Sequence, residues 1–299
     1  MPREKKLELG AINITMHPHS PIKYVELFKE VKNLRNIQHI HSDKYGMLTS
    51  VNYLDKKKGE TSPITGDLYR FTNIKVDGQW FNIDTYDKAE EEELGEVKIP
   101  KNLKPNSSRF SYLFFPEDHL LFYECYYDGN KLGPTNATKL VDRLFNQQEI
   151  NDKYGKIEVT HVPCVDALSK ALGMKKLEKL DLHITRPNPD DQSDAERKFL
   201  KRMNKLKVAE QKQEYKAIPG ESIELDEELK TLTNIAAKNG EVSAKGKDEL
   251  SKPVFYSTSK HPWIDKLYYD PNVESPFDMF VLKAMEVKDE ILSWFKRPG

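Results

Sequence analysis

Eight lysines and arginines but only two glutamates lie between Arg197 and Lys216. Set on a helix at about 100° per residue, Lys198, Lys201, Arg202, Lys205, Lys212 and Lys216 share one stripe with Arg197 beside it, and Phe199, Leu200, Met203 and Leu206 fall opposite. Cations crowded on one arc suit a polyanion, because each phosphate they neutralise releases condensed counterions. A merely solvated helix face more often mixes signs, so that side chains four apart pair. The stripe is therefore the candidate site, and a polyanion held by its charge is the ligand it would take.

Other constellations point to chemistry less strongly. His17 and His19 flank Pro18, and His39 and His41 flank Ile40, so either pair could lend two ligands to a metal; solvated or capping histidines explain them better. Pro189-Asp190 followed by Glu196-Arg197-Lys198 resembles the acidic residues of divalent-metal nucleases, which would use Asp190, Asp191 and Glu196. These residues sit where a helix should begin, and acidic groups at a helix start are favoured by its dipole. No phosphate-binding glycine loop, nucleophile elbow or zinc-binding spacing occurs. No catalytic, metal or cofactor residue is assigned, and the protein is expected to be a binding protein that uses no cofactor. Cys125 and Cys164 are expected to be reduced thiols.

The elements that must position the stripe can be traced along the chain. Leu7 to Met16 predicts a central strand, Ser20-Pro21 a capped helix, and Gly46 to Leu54 and Asp67 to Val76 further strands. Val76-Asp77-Gly78-Gln79 predicts a hairpin turn into Trp80 to Ile83. Phe110 to Phe115 and Leu120 to Tyr127 form an aromatic hairpin, better explained as core than as a base-stacking platform. Helices follow from Pro134 and from Val165 to Leu172, and Leu177 to Ile184 is a strand ended by Arg186-Pro187-Asn188-Pro189. The fold class is α+β. A mixed or antiparallel sheet domain with helices spans 1–186, and a long basic helix with a smaller helical and hairpin region, also the dimerisation region, spans 187–299.

In that second part, the acidic run Glu221 to Glu228 could lie over the stripe in place of phosphate. A helix capped by Asn239-Gly240 and a hairpin from Glu241 to Thr258 come next. The last helix carries Phe277, Phe280, Ala284, Val287, Ile291 and Phe295 on one face. Such a face needs cover, from the first domain or from a second copy, and a homodimer is expected there. With no apolar run long enough for a membrane span and no leader, the expected location is the cytoplasm. A net charge of −1 excludes a protein that coats nucleic acid with its whole surface, so any such site is a local patch.

Several stretches together resemble an uncharacterised bacterial and phage-associated family of about this length. They include Leu9-Gly10-Ala11-Ile12-Asn13-Ile14 with His17-Pro18, Gly78-Gln79-Trp80-Phe81-Asn82, Phe115-Pro116 with His119, and Ile184-Thr185-Arg186-Pro187. On shorter stretches, Ser111-Tyr112-Leu113-Phe114, Gly133-Pro134-Thr135 and Lys288-Asp289-Glu290-Ile291-Leu292-Ser293-Trp294, the chain resembles the RexA family of phage-exclusion proteins. That second resemblance implies a two-domain dimer, similar in fold to the recombination-associated RdgC proteins, that binds DNA nonspecifically in anti-phage defence. A defence-system partner protein held by the last helix, without nucleic acid, is the alternative expectation.

Overall fold

Along the first strand Leu7, Leu9 and Ala11 face one way and Ile12 and Ile14 the other, and all five are buried. A strand apolar on both faces must lie between two layers. The chain is described by a computed structural model over residues 4–75, 78–95, 98–187 and 194–296. Its elements run β1 (Lys5–Thr15), α1 (Pro21–Leu34), β2 (Gln38–His41), β3 (Lys44–Leu48), β4 (Asn52–Tyr53), β5 (Ile64–Thr72), β6 (Phe81–Asn82), β7 (Asp87–Lys88), α2 (Glu91–Leu94), β8 (Ser108–Phe115) and β9 (Leu120–Tyr127). Then come β10 (Asn130–Lys131), α3 (Pro134–Phe145), α4 (Gln148–Tyr154), β11 (Glu158–His161), α5 (Val165–Leu172), β12 (Lys176–Thr185), α6 (Asp194–Leu206) and β13 (Glu210–Lys216). The chain closes with α7 (Glu227–Lys238), β14 (Gly240–Lys247), β15 (Pro253–Ser257), β16 (Ile264–Tyr269) and α8 (Pro276–Lys296).

The fold is α+β. A large antiparallel sheet runs β11-β1-β9-β8-β5-β3-β2, with β16 also on β1, β4 on β5 and β10 on β9. One face packs on α1, α3 and α4 through Tyr24, Phe28, Leu140 and Phe145, which meet Ile12, Phe110, Tyr112 and Phe114. The other face packs on α8, where Phe280, Ala284, Val287 and Ile291 meet Leu7, Leu9, Phe122 and Leu267. The aromatic hairpin β8–β9 is core, with Tyr112, Phe114, Phe122 and Tyr123 all fully buried. Val76 and Asp77 of the expected hairpin turn lie outside the described residues, and β6 pairs with β7.

A second antiparallel sheet, β13-β12-β14-β15, carries the candidate site. Leu177, Leu180, Leu182 and Ile184 turn one side of β12 towards α5, α6 and α7, closing a separate core with Phe199, Met203, Ile235 and Ala236. The start of β14 comes so near β12 that a Cβ on Gly240 would lie 2.0 Å from the His183 carbonyl oxygen, so only glycine fits there. This sheet takes β12 from before residue 186 and β13, β14 and β15 from after it, while β16 and α8 return to the first sheet. The sheets thus partition the chain differently from a division after residue 186.

The long helix through residue 216 is corrected. α6 stops at Leu206, where Lys207 adopts a left-handed φ of 57° and Val208 N donates to Met203 O at 3.1 Å. That six-to-one bond closes a helix end, and the chain then runs as β13 along β12.

Candidate nucleic-acid interface

α6 is held by its inner face. Phe199 and Met203 enter the second core, and Leu200 is 8% exposed. At the first turn Glu196, 3% exposed, has Oε1 at 3.7 Å from Lys238 Nζ and 3.5 Å from Asn239 Nδ2 at the end of α7. The Arg186 guanidinium at the end of β12 donates to Asn204 Oδ1 at 2.7 Å. Three contacts of different kinds therefore fix the helix on the sheet and leave its other side to solvent.

On that outer side Arg197, Lys198, Lys201, Arg202 and Lys205 are all exposed. Arg197 pairs with Asp194 in the turn before it. Among the described residues Lys198, Lys201, Arg202 and Lys205 have no carboxylate within ion-pair distance. From Lys198 to Lys205 the helix rises about 10 Å. Along one strand of duplex DNA a phosphate recurs about every 3.4 Å of axis, so that length spans roughly three phosphates of a strand. Lys207 is a further exposed cation just past the helix end.

The structure does not bring Lys212 and Lys216 to this patch. Both lie on β13, exposed, on the side of the second sheet away from the helices, beside its acidic residues. Lys212 Nζ is 3.4 Å from Glu210, and Lys216 Nζ is 2.7 Å from Glu214. Hydrogen bonds from Lys179 and then Lys216 hold the Glu214 carboxyl down at about 2, and His183 with Lys212 holds Glu210 below its usual range. These two lysines are spent on neighbours within the sheet. The correction follows from the chain turning at Lys207: a four-residue spacing that aligns side chains on a helix places them on a strand edge instead.

The remaining candidates find local roles. Glu196 faces inward on the Lys238 pair, and Asp190 and Asp191 lie outside the described residues. His17 Nε2 meets the Arg186 carbonyl at 3.2 Å, while His19 turns to His119, their Nε2 atoms 3.1 Å apart. His39 lies against Arg143 at 2.9 Å. Among the described residues no three His, Cys, Asp or Glu side chains group as a metal site. Cys125 and Cys164 are free thiols, and burial pushes Cys125 up to about 11. In the acidic run Asp226 caps α7 by accepting from Leu229 N at 2.7 Å, and Glu227 pairs with Lys230. The expected dimer face of α8 is covered from within the chain: Phe280, Ala284, Val287 and Ile291 are at most 4% exposed, and Phe277 is partly buried on the same core. The side chain of Phe295 lies outside the described set. Among the described residues no helix is long and apolar enough to cross a membrane.

Sequence reasoning placed Asn239 only as the cap of α7 and did not name Lys238, yet both anchor the start of α6 from some forty residues away. Their only signal was position at the close of an amphipathic helix. The family model described as a domain of unknown function, DUF4747, matches residues 5–285. No curated protein matches the chain.

Proposed function

The chain belongs to the DUF4747 family, and we propose that it is a non-enzymatic protein that binds DNA without sequence preference through the outer face of α6. One observation carries the reading. Lys198, Lys201, Arg202 and Lys205 are exposed, share a side of one helix, and lack carboxylate partners among the described residues. No carboxylate among the described residues spends these cations, and phosphates are the anions such a row suits.

The anti-phage setting of this reading comes from the sequence resemblance to phage-exclusion proteins, and the fold adds nothing to it. The same reading includes a homodimer and a defence-system partner. With the inner face of α8 committed to the first sheet, Leu282, 61% exposed, and Met285, 41% exposed, are among the described residues the large apolar side chains that α8 exposes to another chain.

The test is binding of duplex DNA, single-stranded DNA and RNA measured across a series of salt concentrations. On duplex DNA log affinity should fall against log salt by about 0.9 per phosphate contact, and Lys198→Ala, Arg202→Ala and Lys205→Ala should each flatten the slope by about one unit for every sequence alike. A folded triple variant with unchanged affinity and slope would overturn the assignment.

A further inference from the structure

β13 lies at one margin of the second sheet, with β12 on one side and, among the described residues, no strand on the other. It runs seven residues without a proline, a glycine or a register shift against β12. Which of its backbone groups are open follows from the ladder. Thr185 N donates to Asn239 O on the β14 side of β12, and Ala217 N donates to Glu178 O on the β13 side. Antiparallel ladders alternate, so Gln211, Gln213 and Tyr215 turn their N–H and C=O groups to β12, while Glu210, Lys212, Glu214 and Lys216 turn theirs to the open edge. Such an edge is a template for another strand, and proteins blunt it with proline, bulges or charged side chains. Only the last device is present here, and the order of the charges undoes it.

The side chains of Glu210, Lys212, Glu214 and Lys216 share the exposed face and alternate in sign. Read backwards, the row is Lys, Glu, Lys, Glu. A second copy laid antiparallel about Gln213 therefore sets Glu210 opposite Lys216 and Lys212 opposite Glu214, so that every cross-strand pair on this face joins opposite charges. The same four residues carry the outward backbone groups, so this register also closes a hydrogen-bonded ladder. Sliding the copy by two residues would set Glu210 on Glu214 or Lys212 on Lys216. We propose that the protein is a homodimer joined through β13, two copies pairing edge to edge about Gln213 so that their four-stranded sheets become one. This rests on the homodimer of the reading above and names its interface. The ion pairs that Lys212 and Lys216 make within the strand persist, and each lysine gains a carboxylate across the ladder. The two-fold axis of such a pair passes through the sheet, so α6 of both copies lies on the same side of it.

Sedimentation equilibrium of the full chain tests this, and should give twice the 34.7 kDa chain mass at micromolar concentrations. Lys212→Glu sets a carboxylate on Glu214, and Glu214→Lys sets an ammonium on Lys212. Each variant alone should be a monomer that circular dichroism shows to be folded. Mixed, the two should form a heterodimer, and both changes on one chain should give a homodimer, since either arrangement restores opposite charges at every pair. Gln213→Cys should crosslink to itself under mild oxidation, because the Cα atoms of that pair stand about 4.5 Å apart, and Gln211→Cys should not. Lys198→Ala with Arg202→Ala should weaken DNA binding and leave the dimer intact, which keeps failure of one assignment distinct from failure of the other. A monomer at every concentration, a dimer indifferent to Lys212→Glu, single variants that stay monomeric when mixed, no crosslink through Gln213→Cys, or a dimer broken by Leu282→Asp would each overturn the proposal.

Discussion

Glu196 in the first turn of α6 and Lys238 in the last turn of α7 face each other at 3.7 Å with side chains only 4% and 9% exposed. A buried charge left without its partner is costly, so Glu196→Ala or Lys238→Ala should each destabilise the protein by about 3–5 kcal/mol in urea titration. Replacing both together by leucine should recover much of that loss, because the apolar pair leaves no charge behind. Single changes costing under about 1 kcal/mol would show that the pair does not anchor α6.

Lys212 and Lys216 distinguish a stripe read on one long helix from the patch on α6. Lys212→Ala and Lys216→Ala should leave DNA affinity and its salt slope unchanged, since Glu210 and Glu214 already neutralise them. Lys201→Ala should change both. Equal losses from all three in filter binding would move the interface onto the second sheet.

The misreading of residues 207–216 has a physical cause. Glu210, Gln211, Lys212, Gln213, Glu214 and Lys216 are good helix formers, and the residues β13 turns inward include polar Gln211 and Gln213, so no alternation of apolar and polar residues marks a strand. Helix ends usually announce themselves with glycine, but here a lysine takes the left-handed position. The deciding term is tertiary, since β12 needs a ladder partner and β13 supplies it. Where local signals were strong, they were sufficient: Ser20-Pro21 opens α1, Gly173 follows α5, and the buried spacing of Phe280, Ala284, Val287 and Ile291 builds α8. What covers that face was not legible, because β16 reaches β1 across more than 250 residues of chain.

Stability should fall as the pH drops below neutrality. Burial pushes His161 and His17 below the ordinary histidine value of 6.5, and the carbonyls of Thr258 and Arg186 that they meet offset this only in part. Glu241 faces His161, and Glu158 and Arg186 face His17. The unfolded chain therefore takes up protons below 6.5 that the folded chain does not, and stability is lost as pH falls from there through the folded values. Urea midpoints at pH 7.5 and 5.5 measure the loss, and His161→Phe should reduce it. An unchanged loss in that variant would remove His161 from the account.

On α8 the two faces should respond oppositely to charge. Ile291→Asp places a carboxylate in a fully buried site and should abolish cooperative unfolding or lower the melting temperature sharply. Leu282→Asp, on the exposed side, should leave melting unchanged, and light scattering of that variant shows whether the outer face holds a second copy. A folded Ile291→Asp protein would mean the first sheet does not depend on α8.

The chain enters and leaves the second sheet through one narrow crossing, where Trp263 N donates to Val162 O and Cys164 N to His261 O, both at 2.8 Å, and Pro163 bridges Pro262. Everything between is an insertion whose two ends touch. During synthesis β1 emerges before the inserted sheet, yet β16, which pairs with half its edge, and α8, which covers its Leu7 and Leu9 face, emerge after it. That face stays open on the ribosome until the inserted sheet has been made, so the order of translation lets α6 and its cations take shape before the body that carries them is closed.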